Sequence, residues 1–303
     1  MRRHPLTPTP AVVAAITLTV TLATGGCGGE GSSASGNGPS IVVTTTILGD
    51  VVSHLVGDEA QVDVLMPPNA DPHEFSASAR QATALREADV IVTNGGGFEA
   101  GLDDTVAAAE DDGATVFAAL DAVDRLDDDP HFFTDPARMA VAARALADFL
   151  PEHVPALDTA AFRRQAGGYV AELEALDAEV EATLAPVPPE RRKLVTNHDV
   201  FGYFADRYGF SVIGAVIPSI TTQAEPSAGE LDDLAAAVEA AGVPAVFADT
   251  SSPENLANAL AGEVGDVEVV ELYSESLGEP GSDGGTYAGM MRTDAERIAE
   301  ALT

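Results

Sequence analysis

The sequence predicts an α/β protein of two lobes, each with a mainly parallel sheet and covering helices, joined by one long rigid helix. Two observations lead to this fold class. Short apolar, β-branched runs alternate with helix-like runs in two separate parts of the chain. Between those parts, apolar residues recur at helical spacing without interruption. We therefore predict an N-terminal lobe over 40–157, a connecting helix within 158–190 and a C-terminal lobe over 191–303.

The N-terminal lobe alternates strand and helix from its first residue. Its predicted elements are strand 40–46, helix 47–56, strand 62–66, helix 76–88, strand 90–93, helix 98–109, strand 115–118 and a helix from 134 to about 150. Ser76 or Ser78 can cap the second helix, because a hydroxyl accepts a hydrogen bond from a free backbone N–H. Pro136 stands near the first turn of the last helix, where proline is tolerated.

The connecting helix is predicted from about Asp158 to Leu184, weakened locally by Gly167-Gly168 and ended by prolines that follow. The C-terminal lobe then repeats the alternation. Its predicted elements are strand 193–196, helix 201–208, strand 212–216, helix 227–241, strand 245–248, helix 253–263, strand 267–272 and helix 287–302.

The N-terminus is predicted to be a signal peptide over residues 1–26. A short basic region, Arg2-Arg3, precedes an uncharged apolar stretch at 11–23 that is too short to span a bilayer, and small residues follow. The next residues, 27–39, are rich in Gly and Ser, which predicts a flexible tether.

Cys27 is the only cysteine, and it stands where small residues end the signal. It resembles the acylated cysteine of a bacterial lipoprotein, with Thr24 in the place where that motif prefers Leu. The alternative is plain secretion with a free thiol. Without a second cysteine the mature domain has neither a disulfide nor a cysteine zinc site.

The chain is strongly acidic, with 15 basic and 49 acidic residues and a formal net charge of −34. Such a field makes nucleic acids and anionic lipid surfaces poor partners and favours cations. An acidic surface is also typical of proteins from a high-salt source, which we regard as the main cause.

Three of the six histidines occur in unusual settings, Asp71-Pro72-His73, Asp129-Pro130-His131 and Thr196-Asn197-His198. An acidic residue, Glu275, follows far downstream. Three imidazoles and one carboxylate can fill the tetrahedral shell of Zn²⁺. The alternative is three surface histidines in turns, because Asp and Pro are common turn residues. His73, His198 and Glu275 each follow a predicted strand, where ligands bind in open parallel sheets, and His131 precedes a helix.

Other polar residues have weaker indications. Glu74 adjoins His73 and is a candidate alternative ligand or base, but a solvated side chain is the favoured interpretation. Asp249 follows a strand and could cap it or accept a hydrogen bond from a ligating imidazole. His54 is predicted to be a packing or surface residue of a helix, and His153 has no predicted role. The acidic stretch at 121–129 is predicted to be a solvated loop.

Several motifs, in the same order along the chain, resemble the solute-binding proteins of bacterial zinc and manganese ABC importers, the cluster A-I family. The resemblance covers 42–302. The matching segments are Asp71-Pro72-His73-Glu74-Phe75, the turn at 94–99, the segment at 129–136, the segment at 196–203, the segment at 219–226 and the start of the last helix at 285–291.

The resemblance implies that His73, His131, His198 and Glu275 are the ligands of a transported ion. Manganese-type members tend to have glutamate where this chain has His198, and imidazoles suit zinc better than manganese, so Zn²⁺ is predicted and Mn²⁺ is less favoured. The family usually has Asp at the fourth position, where Glu275 stands here.

The predicted protein is therefore a monomer, lipid-anchored at the outer face of the cytoplasmic membrane, that delivers Zn²⁺ to the permease of an ABC importer and is not an enzyme. Three alternatives remain open at this stage. The first is a protein of the same family for Mn²⁺ or Fe²⁺. The second is a three-histidine zinc hydrolase, which needs an open coordination position and a general base such as Glu74. The third is a surface adhesin, for which the sequence offers no separate support.

Overall fold

The computed structural model describes residues 38–251, 255–265 and 267–303. The predicted signal peptide, Cys27 and most of the predicted tether lie outside the described residues. Among the residues that are described, none of the helices combines the length and the apolar character needed to cross a bilayer.

The N-terminal lobe is built on a four-stranded parallel sheet. Its strands are β1 (Ser40–Val43), β2 (Gln61–Val64), β3 (Val90–Thr93) and β4 (Val116–Ala118), in the order β2-β1-β3-β4. In strand β1, Val43 pairs with Val64 of β2 on one side and with Val92 of β3 on the other. Both central strands are almost completely buried, as expected of parallel strands covered on two faces.

The helices of this lobe are α1 (Thr46–Val56), α2 (Ala79–Glu87), α3 (Asp103–Asp111) and α4 (Pro136–His153). Their starts follow from local chemistry. Thr45 caps α1, so β1 ends at Val43 rather than at residue 46 as predicted. Ser78 and Gln81 form a capping box, which starts α2 three residues later than predicted. Asp135 caps α4 and Pro136 takes its first position.

The start of α3 is a larger departure from the prediction of a helix from 98. Gly95, Gly96 and Gly97 all have positive φ, with values of 83°, 69° and 77°. This turn is followed by a short 3-10 segment, Ala100–Leu102, before the α-helix begins. Glycine permits such a conformation at little steric cost, so the chain turns where the residue pattern alone indicates helix.

The long helix α5 (Ala160–Leu184) is confirmed as one continuous helix through Gly167-Gly168, capped by Thr159. It packs against α1 and α4 of the first lobe and against α9 of the second. Its buried residues are Phe162, Ala166, Tyr169, Val170, Leu173, Leu176, Asp177, Val180 and Leu184. Most of them belong to one apolar cluster that also contains Val43 of the first sheet and Phe247 of the second.

The C-terminal lobe repeats the topology of the first. Its parallel strands are β5 (Lys193–His198), β6 (Ser211–Ile217), β7 (Ala245–Asp249) and β8 (Glu268–Leu272), in the order β6-β5-β7-β8. Its helices are α6 (Gly202–Tyr208), α7 (Ala228–Ala241), α8 (Asn255–Val264) and α9 (Tyr287–Leu302). Strand β5 is two residues longer than predicted, because Asn197 is buried and His198 still pairs with Ile217 of β6.

The predicted fold class is therefore confirmed, with two parallel-sheet α/β lobes and one long helix between them. Residues 38–303 form one compact unit, and the lobe boundaries at 157/158 and 190/191 remain predictions. In both sheets the loops after the strands emerge at the carboxyl ends, where the candidate residues lie.

Candidate metal centre

The structure brings His73, His131, His198 and Glu275 together at the meeting of the two lobes. Their candidate ligand atoms all lie within 4.8 Å of one another. The Nε2 atoms of His73 and His198 are each 3.1 Å from a carboxylate oxygen of Glu275, and that of His131 is 3.3 Å away. All four residues are at most 2% exposed, so the cluster is closed to bulk water.

His73 comes from the loop after β2. The carboxylate of Asp71 accepts a hydrogen bond from the His73 backbone N–H, with a distance of 2.9 Å from N to Oδ1. The ring of His73 meets the buried ring of Phe98 edge to face, with centroids 5.2 Å apart. Its Nδ1 atom has no hydrogen-bond partner among the described residues, so packing is what orients the imidazole.

His131 is oriented by Asp129, two residues before it. The same oxygen, Asp129 Oδ1, accepts from the His131 backbone at 2.9 Å and lies 2.7 Å from His131 Nδ1. A carboxylate on Nδ1 fixes the tautomer that leaves the Nε2 lone pair for a metal ion. Gly202 makes room for this carboxylate, because a Cβ there would collide with Asp129 Oδ2.

The carboxylates around His131 raise its pKa. Burial acts to lower the pKa of His131, but the carboxylates of Asp129 and Glu275 outweigh burial and raise the pKa to about 9. Burial likewise acts to raise the pKa of Glu275, but the three imidazoles hold it well below the usual value. Glu275 is therefore an anion at neutral pH despite its complete burial.

His198 is the last residue of β5, and its backbone carbonyl accepts a hydrogen bond from Thr196 Oγ1 at 2.7 Å. Pairing with Ile217 of β6 holds His198 at the carboxyl end of this central strand. Its Nδ1 atom has no partner among the described residues, while Nε2 faces Glu275.

Glu275 lies three residues beyond β8 in a loop held from both lobes. On the second lobe, the Ser274 hydroxyl donates to Asp249 at the end of β7. On the first lobe, the Thr46 hydroxyl lies 3.0 Å from Ser276 Oγ and accepts from the Leu277 backbone N–H at 2.9 Å. The carboxylate is thus positioned by its neighbours on both sides.

The remaining candidates lie outside the cluster. Asp249 is buried and accepts from the hydroxyls of Ser251 and Ser274, so it caps its strand and holds the Glu275 loop instead of binding an imidazole. Burial, together with the charge of Glu275, raises the pKa of Asp249. Glu74 is exposed. His54 stacks on Tyr169 and His153 stacks on Phe149, both on the outside of helices.

Two supporting residues have roles that differ from the predicted ones. The sequence predicts a solvated acidic loop around Asp129, yet the carboxylate of Asp129 fixes His131. The sequence signal for this role is the position of Asp129 two residues before the histidine, as in the Asp71 motif. Thr46 is predicted to end a strand, but it is the first residue of α1. Its hydroxyl contacts Ser276 in the Glu275 loop, 230 residues away. No local pattern indicates that contact.

The arrangement can hold one divalent cation. A tetrahedral zinc site with bonds of about 2.0–2.1 Å has neighbouring ligand atoms about 3.3 Å apart. The imidazole nitrogens lie 3.1, 3.1 and 3.3 Å from a carboxylate oxygen, which is Oε2 for His73 and Oε1 for the other two, and the four candidate ligand atoms lie within 4.8 Å of one another, so one ion can contact all four side chains. Two α/β lobes that close around three imidazoles and a carboxylate define the class of metal-binding solute receptors.

Comparison with known proteins identifies the family. Residues 41–301 match the family described as zinc-uptake complex component A, periplasmic (ZnuA), and the chain belongs to that family. It is therefore the extracytoplasmic metal-binding component of an ABC importer rather than an enzyme.

Individual relatives differ in the metal that their names give. The zinc-binding protein TroA of Treponema pallidum is 31% identical over 288 residues, which are 90% of this chain and 92% of TroA. The manganese-binding lipoprotein MntA of Bacillus subtilis is 30% identical, over 95% of this chain and 98% of MntA. The structure of TroA superimposes with a TM-score of 0.82 at 30% identity, covering 88% of this chain and 99% of TroA.

Proposed function

We propose that His73, His131, His198 and Glu275 bind the transported ion directly. The observation that carries this proposal is the convergence of three buried Nε2 atoms on one ionised carboxylate. Buried charges are normally paired or coordinate metals, and here the imidazolium of His131 balances the carboxylate until a divalent cation replaces its proton. The ion is captured between the lobes and delivered to the membrane permease by a protein that acts as a monomer.

The proposed ion is Zn²⁺. Three of the four donors are imidazole nitrogens, which suit borderline-soft zinc, whereas manganese prefers a site richer in oxygen. The carboxylate-bound imidazole of His131 is typical of zinc centres, where an outer carboxylate fixes the ligand and raises its basicity.

Mn²⁺ or Fe²⁺ is the second candidate, and two observations favour it. The manganese-binding relative is as similar as the zinc-binding one. In addition, both oxygens of Glu275 face imidazoles, Oε2 towards His73 and Oε1 towards His131 and His198, so the carboxylate could offer two oxygens to one ion.

Direct competition separates these candidates. Purified protein is equilibrated with equal concentrations of Zn²⁺ and Mn²⁺ under a metal buffer, and the bound metal is identified by native mass spectrometry. We expect one zinc ion per chain, with manganese displaced. A crystal structure with anomalous data at the zinc edge then identifies the ligands. Stoichiometric manganese in the presence of zinc would contradict the zinc assignment, and no bound metal would contradict the site itself.

We further propose that Cys27 carries a lipid that anchors the protein at the outer face of the cytoplasmic membrane. Replacing Cys27 with alanine should release the protein, because the lipid is the apolar contact that holds it there. Membrane and soluble fractions of cells that express each form are compared by immunoblotting. Equal solubility of the two forms would contradict lipidation.

Zinc affinity should rise with pH through the neutral range. A ligating imidazole must be neutral, and the pKa of His131 is raised to about 9, so below that pH the ion displaces a proton. For this one proton the dissociation constant falls by up to about tenfold per pH unit below pH 9 and then levels off. Competition with a chromogenic chelator from pH 6.5 to 8.5 measures the slope.

The Asp129→Asn variant is the matched control for this pH dependence. It keeps the size of the side chain but removes a charge that raises the pKa of His131. The pH dependence should therefore flatten at a lower pH than in the wild type. An unchanged profile would show that His131 is not the group that titrates.

A further inference from the structure

The two Asp-Pro-His motifs have the same sequence but different contacts. In both, Oδ1 of the aspartate accepts the backbone N–H of the histidine at 2.9 Å. Asp129 uses the same oxygen to hold the His131 imidazole. Asp71 makes no such contact, and the Nδ1 atom of His73 has no partner among the described residues. His198 also lacks an Nδ1 partner, but it belongs to strand β5, whereas His73 lies in a loop, so His73 is the imidazole with the least support from its own lobe.

The second carboxylate oxygen of Asp71 accepts a hydrogen bond from the opposite lobe. Its Oδ2 atom accepts a hydrogen bond from Thr222 Oγ1 at 2.6 Å. The neighbouring Gln223 side chain donates from Nε2 to the backbone carbonyl of His73 at 2.5 Å. Both donors belong to residues 218–226, the loop between β6 and α7, which we name the clasp loop.

The clasp loop is secured at its two ends on its own lobe. The carbonyl of Ser219 accepts from the Asp199 backbone N–H at 2.9 Å, and Ser227 caps α7. Between these points Thr222 is half-buried and Gln223 is exposed, so their bonds to the His73 loop are only partly buried. Other hydrogen bonds between the lobes vary in burial: that from Tyr287 to the carbonyl of Phe133 is buried, whereas that from Arg138 to Asp206 is exposed.

Opening the clasp loop disturbs less structure than rotating the lobes. Both lobes share one apolar cluster through α5, and a rotation would disrupt that close packing. Displacing the clasp loop breaks two partly buried hydrogen bonds, and the shared apolar cluster contains no residue of this loop. A docking partner can reach such bonds without unfolding either lobe.

We propose that Thr222 and Gln223 are positioning residues for His73, and that displacement of the clasp loop is the step that frees the ion, with His73 the first ligand to leave. This inference rests on the proposed function, because it requires His73 to bind the ion. The supports of the other three ligands involve neither Thr222 nor Gln223: they are Asp129, the end of β5 and the contacts around Glu275.

The test is the rate at which the zinc-loaded protein releases its ion to an excess of a chromogenic chelator in stopped flow. Thr222→Val removes the hydroxyl at nearly constant volume and should speed release at least fivefold. Thr222→Ser keeps the hydroxyl and should restore a rate near that of the wild type. Asp71→Asn should also speed release, and combining it with Thr222→Val should add little, because the two residues share one bond.

Two controls separate positioning from a general structural effect. Thr221→Val makes the same chemical change one residue earlier, where the hydroxyl faces Ser219, and should leave the release rate unchanged. The visible spectrum of the Co²⁺-substituted variants should match that of the wild type, because all four ligands remain. Wild-type release rates in both Thr222→Val and Asp71→Asn would contradict the proposed role of the clasp loop in holding His73. Failure of the wild type to bind a divalent ion would overturn the proposed function instead.

Discussion

Replacing His198 with alanine should weaken Zn²⁺ binding at least tenfold, which corresponds to about 1.4 kcal/mol or more. The side chain is fully buried at the end of a central strand, and its Nε2 atom lies 3.1 Å from Glu275. The strand cannot move another donor into that position, so the ion loses one of its four ligands. Isothermal titration or chelator competition measures the change.

Two other histidines provide the control for this substitution. His54 and His153 lie on the outside of α1 and α4, and each ring stacks on an aromatic neighbour away from the cluster. Their alanine variants should bind zinc with nearly wild-type affinity. Wild-type affinity in His198→Ala, with thermal unfolding showing an intact fold, would remove this residue from the site.

The fold could be predicted because its main determinants are periodic and local. Alternating apolar runs indicate parallel strands with covering helices, and the long helical repeat ending in prolines indicates α5. The errors occur where polar residues continue a strand or where glycines start a turn. β5 extends through Asn197 and His198, which resemble a loop in composition, because the second lobe buries them between neighbouring strands.

The residues that converge in the structure were also within reach of the sequence, because the three histidines stand in recognisable motifs and the family resemblance points to Glu275. The residues that hold those side chains in place could not be predicted from the sequence. Asp71 and Asp129 occupy the same position in identical tripeptides. Asp129 binds the imidazole of His131, whereas Asp71 binds Thr222, 151 residues away. Which partner each carboxylate finds depends on how the lobes meet. That information is in the packing rather than in the local pattern.

Glu275 differs from the aspartate that the family resemblance predicts at this position, and the structure explains how the longer side chain can be accommodated. Its loop is held by Asp249 on one side and by Thr46 on the other, and both carboxylate oxygens come within 3.1 Å of an imidazole nitrogen. With the extra methylene the carboxylate still lies within hydrogen-bonding distance of the imidazoles. The longer side chain lets a loop anchored in two lobes reach the centre of the cluster.

Replacing Glu275 with glutamine should lower zinc affinity at least tenfold, about 1.4 kcal/mol. Three neutral imidazoles leave the ion with its full double charge in a cavity closed to water, and the carboxylate offsets part of that charge. Glutamine keeps the shape of the side chain but removes the charge, whereas Glu275→Asp keeps the charge with a shorter reach and should have a milder effect. Chelator competition on the three proteins measures both differences.

If the glutamine variant binds zinc as tightly as the wild type, the carboxylate of Glu275 is not a ligand. Glu74 is exposed and cannot replace it without a rearrangement of its loop. A water molecule would then complete the coordination shell.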